Sequence, residues 1–138
     1  MITVDLKSGF YHVPVPAEFQ KYLGIYYQGV YYVWTALPFG LKCSPFYFNK
    51  VLRCVVRYLR EQGLRLVMYV DDCLLMCNRS VATDHKDLWT HVLQELGWHI
   101  NYEKSSLEFE QQKLYLGFVV NSCGPDGFPW IKATKEKL

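Results

Sequence analysis

Three of the aspartates stand next to apolar segments, and carboxylates in such positions can hold metal ions. Asp5 closes the apolar run at the start of the chain, and Asp71 and Asp72 are adjacent in the segment MYVDDCLL. Holding two carboxylates close together between apolar runs is costly unless a cation neutralises them. Oxygen ligands of this kind suit Mg²⁺, which keeps several waters and completes its shell with substrate phosphates. The aspartates therefore indicate in-line transfer at phosphorus assisted by two Mg²⁺ ions.

The adjacent pair also has a plainer interpretation. Aspartate is a common turn residue, so on turn chemistry alone a purely structural role for Asp71 and Asp72 is the more frequent one. The metal interpretation therefore depends on the motifs that surround the pair.

Short apolar strands must position these carboxylates. The run Met1 to Asp5 predicts a buried strand that delivers its aspartate to the edge of a sheet. Leu66 to Val70 and Cys73 to Cys77 predict two further strands, joined by a turn that contains both acids. A turn is needed because adjacent residues on a regular strand face opposite ways.

A β-hairpin is predicted between the first aspartate and the adjacent pair. Lys21 to Tyr27 and Val30 to Ala36 are rich in β-branched and aromatic residues, and Gln28 with Gly29 between them suits a tight turn. The segment LPFGL follows and breaks the strand, because proline and glycine fit poorly inside a regular strand.

An amphipathic helix of about four turns is predicted next. Ser44 and Pro45 suit its N-cap and first position, and Gly63 ends it. Its apolar face comprises Phe48, Leu52, Val55 and Leu59. The opposite face could contact nucleic acid phosphates or be solvated, and solvation is the more frequent role of a charged helix face. This basic stripe comprises Lys50, Arg53, Arg57 and Arg60.

A second helix and several short strands complete an α+β plan. Ser80 is the expected N-cap of this helix, whose apolar positions are Leu88, Val92, Leu93 and Leu96. Strands are expected at Trp98 to Asn101, Leu107 to Phe109 and Leu114 to Asn121. The lysine-rich tail from Ile131 is expected to fray. The order of elements predicts an antiparallel sheet with helices packed on one face and the other face open to a substrate.

Composition bounds the class of protein. With 138 residues, of which 51% are hydrophobic, the chain can form the core of one domain. The net charge of +2 does not by itself indicate a nucleic acid partner. The five cysteines lack the spacing of a zinc site, and we expect neither a signal segment nor a membrane span. We therefore expect an intracellular protein, cytoplasmic or nuclear and not secreted.

Five motifs occur in a recognisable order along the chain. VDLKSGF is followed by LPFGLKCSP, by YVDD, by LGWHINYEKS and by LYLGF. This order resembles the palm of a reverse transcriptase, an RNA-directed DNA polymerase, and YVDD with YLGFVVN resembles gypsy-type or DIRS-type retrotransposons. The resemblance implies that residues 1–138 are a fragment of a right-hand polymerase fold, with the palm and part of the fingers present and most of the fingers and thumb missing.

The resemblance assigns roles to single residues. It implies that Asp5 and Asp71 bind both metal ions, that the Leu6 carbonyl completes one shell and that Asp72 coordinates less directly. The ions would be Mg²⁺, with Mn²⁺ as a substitute. Phe10 would form a wall that favours deoxynucleotides, and Phe39 with Gly40 would line the nucleotide pocket. Lys104 would donate a proton to pyrophosphate, and Leu116 with Gly117 would form a primer grip. On residue type alone, Lys104 fits a solvated surface lysine equally well.

The expected partners are dNTPs and an RNA or DNA template with its primer. A longer retroelement polyprotein with a ribonuclease H, integrase or recombinase domain is also implied. The isolated chain is expected to be inactive or weakly active, because fingers and thumb supply binding energy. Two alternatives stay open: a domesticated remnant that binds nucleic acid or protein without catalysis, and a truncated product with no function.

Overall fold

A three-stranded antiparallel sheet lies at the centre of the computed structural model, which describes residues 1–134. Its strands, numbered along the chain, are β1 (Ile2–Asp5), β4 (Arg65–Tyr69) and β5 (Asp72–Met76), in the spatial order β1-β5-β4. Ile2 and Val4 are buried in the core, whereas Asp5 is only partly buried, as the two-residue period of a strand requires. This alternation leaves the carboxylate of β1 at the end of the strand.

The turn between β4 and β5 differs by one residue from the prediction. Val70 and Asp71 form the turn, and Asp72 is already the first residue of β5. Aspartate favours turns, but pairing with Asp5 and Tyr69 extends the strand to Asp72. Val70 has a φ of 54°, a left-handed conformation that β-branched residues seldom adopt.

The predicted β-hairpin is confirmed, with shorter strands. β2 (Gly24–Tyr27) pairs with β3 (Val30–Val33), and a short helix, α1 (Ala17–Gln20), which was not predicted, precedes them. The turn residues Gln28 and Gly29 have φ values of 49° and 81°, the two left-handed positions that a tight hairpin turn requires.

Two longer helices pack against one face of the central sheet, as predicted. They are α2 (Ser44–Glu61) and α3 (Ala82–Glu95), and the predicted apolar face of α2 lies in the same core as the sheet. The pattern predicted for α3 is partly wrong, because Trp89 is 2% exposed in the core whereas Leu96 lies beyond the helix and is 59% exposed. Within residues 1–134, no helix has the length and apolar character to cross a membrane.

Neither serine expected as an N-cap caps its helix. Ser44 is the first residue of α2, and its buried hydroxyl donates a hydrogen bond of 2.8 Å to the Pro38 carbonyl, so it ties the helix to the preceding loop. Ser80 lies in a short 3₁₀ helix (Arg79–Val81) that leads into α3. The residue types of both serines suit N-caps. The surrounding structure, and not the local sequence, therefore accounts for both corrections.

The basic stripe of α2 is exposed. The Arg60 guanidinium nevertheless donates hydrogen bonds of 3.1 and 2.6 Å to the Leu66 carbonyl. The Arg57 guanidinium lies 3.7 Å from the Glu61 carboxylate. Part of the stripe thus bonds within the protein, and its solvated role stays a prediction.

The C-terminal strands form a second antiparallel sheet, of β6 (Gln112–Tyr115), β7 (Phe118–Asn121) and β8 (Trp130–Ala133). The single strand predicted from Leu114 to Asn121 is wrong, because the chain turns between β6 and β7 at Leu116 and Gly117, whose φ values are positive. The fraying predicted from Ile131 is also wrong as far as Ala133, since β8 pairs with β7. The rest of that tail, residues 135–138, lies outside the described residues.

The strands predicted at 98–101 and 107–109 are also wrong. In this part of the described chain, isolated pairs join Ile100 to Leu6 and Ser106 to Thr3. The segment runs beside β1 and bends away between these two pairs. Its alternating residues fit a strand, but the bend limits the pairing.

The second face of the central sheet is partly covered, and the fully open face that was predicted is not found. Leu74 is buried although its neighbours Cys73 and Leu75 point into the helical core on the other side. Lys113 of β6 is 5% exposed, and its ammonium lies 2.6 Å from the Ser106 hydroxyl and 2.7 Å from the Glu110 carboxylate. The second sheet therefore packs over part of this face.

Candidate active site

The three aspartates lie at one end of the central sheet. Asp5 is the last residue of β1 and Asp72 is the first of β5, and the two are partners in the strand register. The backbone N–H of Leu6 donates a hydrogen bond of 3.2 Å to the Asp71 carbonyl, which holds the turn against the end of β1. Strand pairing thus gathers carboxylates that are far apart in the sequence.

These carboxylates repel one another. The pKa of Asp72 is raised above its usual value, first by burial and then by the negative charges of Asp71 and Asp5, while Lys104 acts in the opposite direction. Burial and the same carboxylates raise the pKa of the Cys73 thiol to about 12. A cation at this end of the sheet would relieve the repulsion.

A cleft of about 340 Å³ opens beside the aspartates. It gathers most of the residues to which the resemblance gives a role, namely Asp5, Leu6, Phe10, Phe39, Asp71 and Lys104. Lys7, Ser8, Gly9 and Asn101 complete its lining. Carboxylates, two lysines and aromatic residues therefore line one small space.

The other predicted site residues lie outside this lining. Asp72 is beside it, paired with Asp5 in the sheet. Gly40 follows Phe39 with a φ of 83°, a conformation that glycine adopts readily. Leu116 and Gly117 form the turn after Tyr115, whose hydroxyl bonds to the Asp72 backbone.

Packing of aromatic rings fixes the position of Phe10. Its ring centroid lies 5.0 Å from that of Phe39 and 5.3 Å from that of Phe48 in the core. The preceding Gly9 leaves no space for a side chain, because an added Cβ would lie 2.8 Å from the Phe48 ring. Phe39 is 62% exposed, so the pair has an anchored ring and an accessible one.

Asn101 was given no role from the sequence. Its side-chain amide donates a hydrogen bond of 2.9 Å from Nδ2 to Oδ1 of Asp5. The signal available was a polar residue three positions before Lys104, but that spacing does not show which atom the amide reaches. Ser105, also unassigned, accepts a hydrogen bond of 3.0 Å from the Asp5 backbone N–H.

The oxygen donors of the cleft fit a hard divalent cation. Within residues 1–134, no group of three or more His, Cys, Asp or Glu side chains forms a ready metal-binding cluster. Mg²⁺, however, usually takes one or two carboxylates and completes its shell with water and substrate phosphates. Asp5 and Asp71, both lining the cleft, meet that requirement.

A larger groove, of about 1070 Å³, lies between α2 and α3. Its lining is mainly apolar and includes Val51, Tyr58, Val92 and Leu96. None of the predicted site residues lines it. Six of the predicted site residues, by contrast, line the smaller, polar cleft.

Comparison with protein families decides the class of the chain. Residues 1–120 match the family model described as reverse transcriptase (RNA-dependent DNA polymerase). The chain belongs to this reverse transcriptase family. The resemblance inferred from the five motifs is thereby confirmed.

Similar curated proteins are polyproteins of retroelements. The chain is 31% identical over 137 residues to the retrovirus-related Pol polyprotein from transposon gypsy of Drosophila melanogaster, a match that covers 97% of the chain and 13% of that polyprotein. It is 35% identical over 129 residues to the Gag-Pro-Pol polyprotein of Human T-cell leukemia virus 2, covering 86% of the chain and 9% of the relative. The chain thus spans a small part of the curated reverse transcriptase relatives that it matches.

Solved reverse transcriptase structures share the fold. A foamy viral protease-reverse transcriptase in complex with double-stranded DNA has a TM-score of 0.81 at 25% identity, covering 98% of this chain and 26% of the other. The foamy viral protein in complex with an RNA/DNA hybrid has a TM-score of 0.75 at 28% identity, covering 98% and 17%. The prediction of an α+β fragment of the polymerase fold is confirmed.

Proposed function

We propose that this reverse transcriptase chain is the catalytic palm of an RNA-directed DNA polymerase, which adds deoxynucleotides to a primer 3′-hydroxyl. The observation that carries the proposal is the single cleft shared by Asp5, Asp71 and Lys104, with Phe10 and Phe39 as its aromatic side. Nucleotidyl transfer uses such groups: carboxylates that hold cations, an ammonium group near phosphate and apolar rings against the nucleotide.

Asp5 and Asp71 are the residues that would hold two Mg²⁺ ions, or Mn²⁺ in their place, with the Leu6 carbonyl as a further oxygen ligand. Bound ions of this kind activate the 3′-hydroxyl and stabilise the leaving pyrophosphate. Asp72, the neighbour of Asp5 in the sheet, adds negative charge that attracts cations to this end.

The other lining residues position the nucleotide. The Phe10 ring packs on Phe48 and cannot swing aside freely, so a 2′-hydroxyl placed against it would clash and deoxynucleotides would be favoured. Phe39 and Gly40 would flank the incoming nucleotide. Lys104 would donate a proton to the departing pyrophosphate.

The substrates and partners in this proposal are dNTPs and an RNA or DNA template with its primer, whose end Leu116 and Gly117 would hold. The foamy viral relatives were solved with an RNA/DNA hybrid and with double-stranded DNA, which supports nucleic acid as the partner. The gypsy and leukemia virus relatives are polyproteins, which supports a longer parent carrying ribonuclease H, integrase or recombinase domains. In this parent, residues 1–138 would supply the palm and part of the fingers.

Primer extension on an RNA template, with dNTPs and Mg²⁺, tests the proposal. The chain is compared with a version extended at both ends by the flanking polyprotein segments, and each is also made as Asp71→Asn. Asp87→Asn, which removes an exposed carboxylate of α3, is the matched control. We expect extension by the longer version and weak or undetectable extension by the isolated chain.

Loss of extension in Asp71→Asn, with activity kept in Asp87→Asn, is the expected result. If the longer version folds and binds Mg²⁺ but extends no primer, the polymerase proposal fails. A remnant that binds nucleic acid or protein without catalysis would then replace it.

A further inference from the structure

We propose that Asn101 is a positioning residue that holds the Asp5 carboxylate in the orientation required to bind a divalent cation. The inference rests on the proposed function, because it assigns Asp5 to the metal site. It concerns a residue that lines the same cleft and carries no charge of its own.

The amide of Asn101 holds one oxygen of the Asp5 carboxylate. Its Nδ2 donates to Oδ1 at 2.9 Å, and the hydrogen bonds within residues 1–134 leave Oδ2 without a donor. One carboxylate oxygen is therefore fixed by the protein while the other can face a cation. Both residues line the cleft, so this geometry lies at the place where a cation would bind.

Asp5 needs such a contact because two other carboxylates lie beside it. Asp72 is its partner in the sheet, and Asp71 lies in the adjacent turn. A carboxylate beside two others, with no donor to hold it, would rotate away from them when no cation is bound. An amide can hold it without a positive charge, whereas a lysine or arginine would form an ion pair and compete with the cation.

The backbone of the same segment is fixed to Asp5 independently of the amide. The backbone N–H of Asn101 donates to the Asp5 carbonyl at 2.9 Å, and the backbone N–H of Asp5 donates to the Ser105 hydroxyl at 3.0 Å. Replacing the Asn101 side chain leaves both of these bonds in place. The loop that carries Lys104 should therefore keep its position, and a substitution at Asn101 isolates the effect of the amide.

The expected consequence is a change in metal affinity. Groups that orient a metal ligand without touching the metal typically contribute a factor of about 10 to 100 to affinity. We expect Asn101→Leu, which keeps the branching at Cγ but has no donor, to weaken binding of Mn²⁺ by about tenfold or more. Asn101→Ala provides a second variant with a smaller side chain.

The experiment is a titration of the purified 138-residue chain with Mn²⁺, with free Mn²⁺ measured by electron paramagnetic resonance. Asn78→Ala is the matched control, because Asn78 is exposed beyond the opposite end of β5. Asp5→Asn is the reference for loss of the metal site. Circular dichroism checks that each variant is folded, and the rise in Tm on adding Mn²⁺ gives a second readout that a merely structural role would not change.

Weaker Mn²⁺ binding and a smaller Tm rise in both Asn101 variants, with Asn78→Ala unchanged, would support the positioning role. If the folded Asn101 variants bind Mn²⁺ as tightly as the unaltered chain while Asp5→Asn does not, Asn101 has no such role and the proposed metal site survives. If Asp5→Asn binds Mn²⁺ as tightly as the unaltered chain, the proposed metal site itself is wrong, and the role of Asn101 falls with it.

Discussion

The hydroxyl group of Tyr115 donates a hydrogen bond to the backbone carbonyl of Asp72, with 3.2 Å between the two oxygens. This bond joins β6 to the first residue of β5, and the turn at Leu116 and Gly117 follows directly. Burial, Cys73 and Asp72 together raise the pKa of Tyr115 to about 12, so its hydroxyl stays protonated as a donor at neutral pH. The proposed primer grip is thereby connected to the proposed metal site.

Tyr115→Phe tests this connection. The variant loses one partly buried hydrogen bond, so we expect the free energy of unfolding to fall by about 1 kcal/mol in a urea titration. In the longer version of the chain, we expect the KM for primer to rise more than kcat falls, because the metal ligands are untouched. Tyr31→Phe, at an exposed position of β3, is the control and should change neither quantity. Equal effects of both substitutions would contradict the connection.

The elements that the sequence predicts correctly are those with a strong local signal. The face of α2 that contains Phe48 and Leu52 repeats every three or four residues, and the link Gln28-Gly29 has the residue types of a tight turn. The prediction of a continuous strand through Leu116 is wrong. Its residues suit a β-strand, but pairing of β6 with β7 requires a turn with a positive φ there.

In the candidate site too, local sequence signals reveal some residues and miss others. Asp5, Asp71 and Lys104 can be found from motifs, because the motifs fix residue types at set spacings. The role of Asn101 cannot be found from motifs, since its bond to Asp5 joins residues that are distant in sequence. Contacts of this kind depend on how the chain packs, and periodicity contains no information about them.

Gly9→Ala should displace the aromatic wall of the cleft. An added Cβ would lie 2.8 Å from the Phe48 ring, so the 3₁₀ helix Gly9–His12 and the Phe10 ring must shift. Overpacking of this kind costs about 1 to 3 kcal/mol, which urea unfolding can measure. In the longer version, we also expect discrimination between dNTPs and rNTPs to weaken, because Phe10 loses its fixed position.

Gly24→Ala is the matched control for this substitution. An added Cβ at Gly24 would have an ordinary contact of 3.8 Å with the Tyr32 carbonyl oxygen. We expect a change of less than about 1 kcal/mol there and unaltered sugar discrimination. If Gly9→Ala is as stable and as selective as Gly24→Ala, the Phe10 wall is not held by packing on Phe48.

The thiol of Cys73 should resist alkylation in the folded chain. Burial and the neighbouring carboxylates raise its pKa to about 12, and only the thiolate reacts quickly with iodoacetamide. Cys54 and Cys123 are exposed and should be labelled at a pH of about 8. Mass spectrometry of peptides after labelling, with and without guanidinium chloride, measures the difference. Rapid labelling of Cys73 without denaturant would mean that the end of the sheet opens in solution.

Asp72→Asn should stabilise the chain when no metal is present. The folded structure raises the pKa of Asp72, first through burial and then through Asp71 and Asp5. A carboxyl group of this kind contributes stability below its ordinary pKa and loses that contribution as the pH rises through the raised value. At a pH of about 7 the ionised group therefore opposes folding, and asparagine removes this cost. We expect a higher Tm for the variant at that pH and a smaller difference at a pH of about 4, where more of the carboxyl group is protonated than at neutral pH.

Mg²⁺ separates this electrostatic cause from a simple change in packing. A cation among the carboxylates offsets their repulsion, so Mg²⁺ should raise the Tm of the unaltered chain at a pH of about 7 more than that of Asp72→Asn. Asp87→Asn removes one negative charge from the exposed surface of α3 and should show neither the gain in Tm nor the altered response to Mg²⁺. If Asp72→Asn gains the same Tm at both pH values, packing and not charge is the cause. The negative charge of Asp72 should therefore destabilise the metal-free chain and also attract the cation. Such opposition between stability and metal binding is expected of a carboxylate whose function is to bind a ligand.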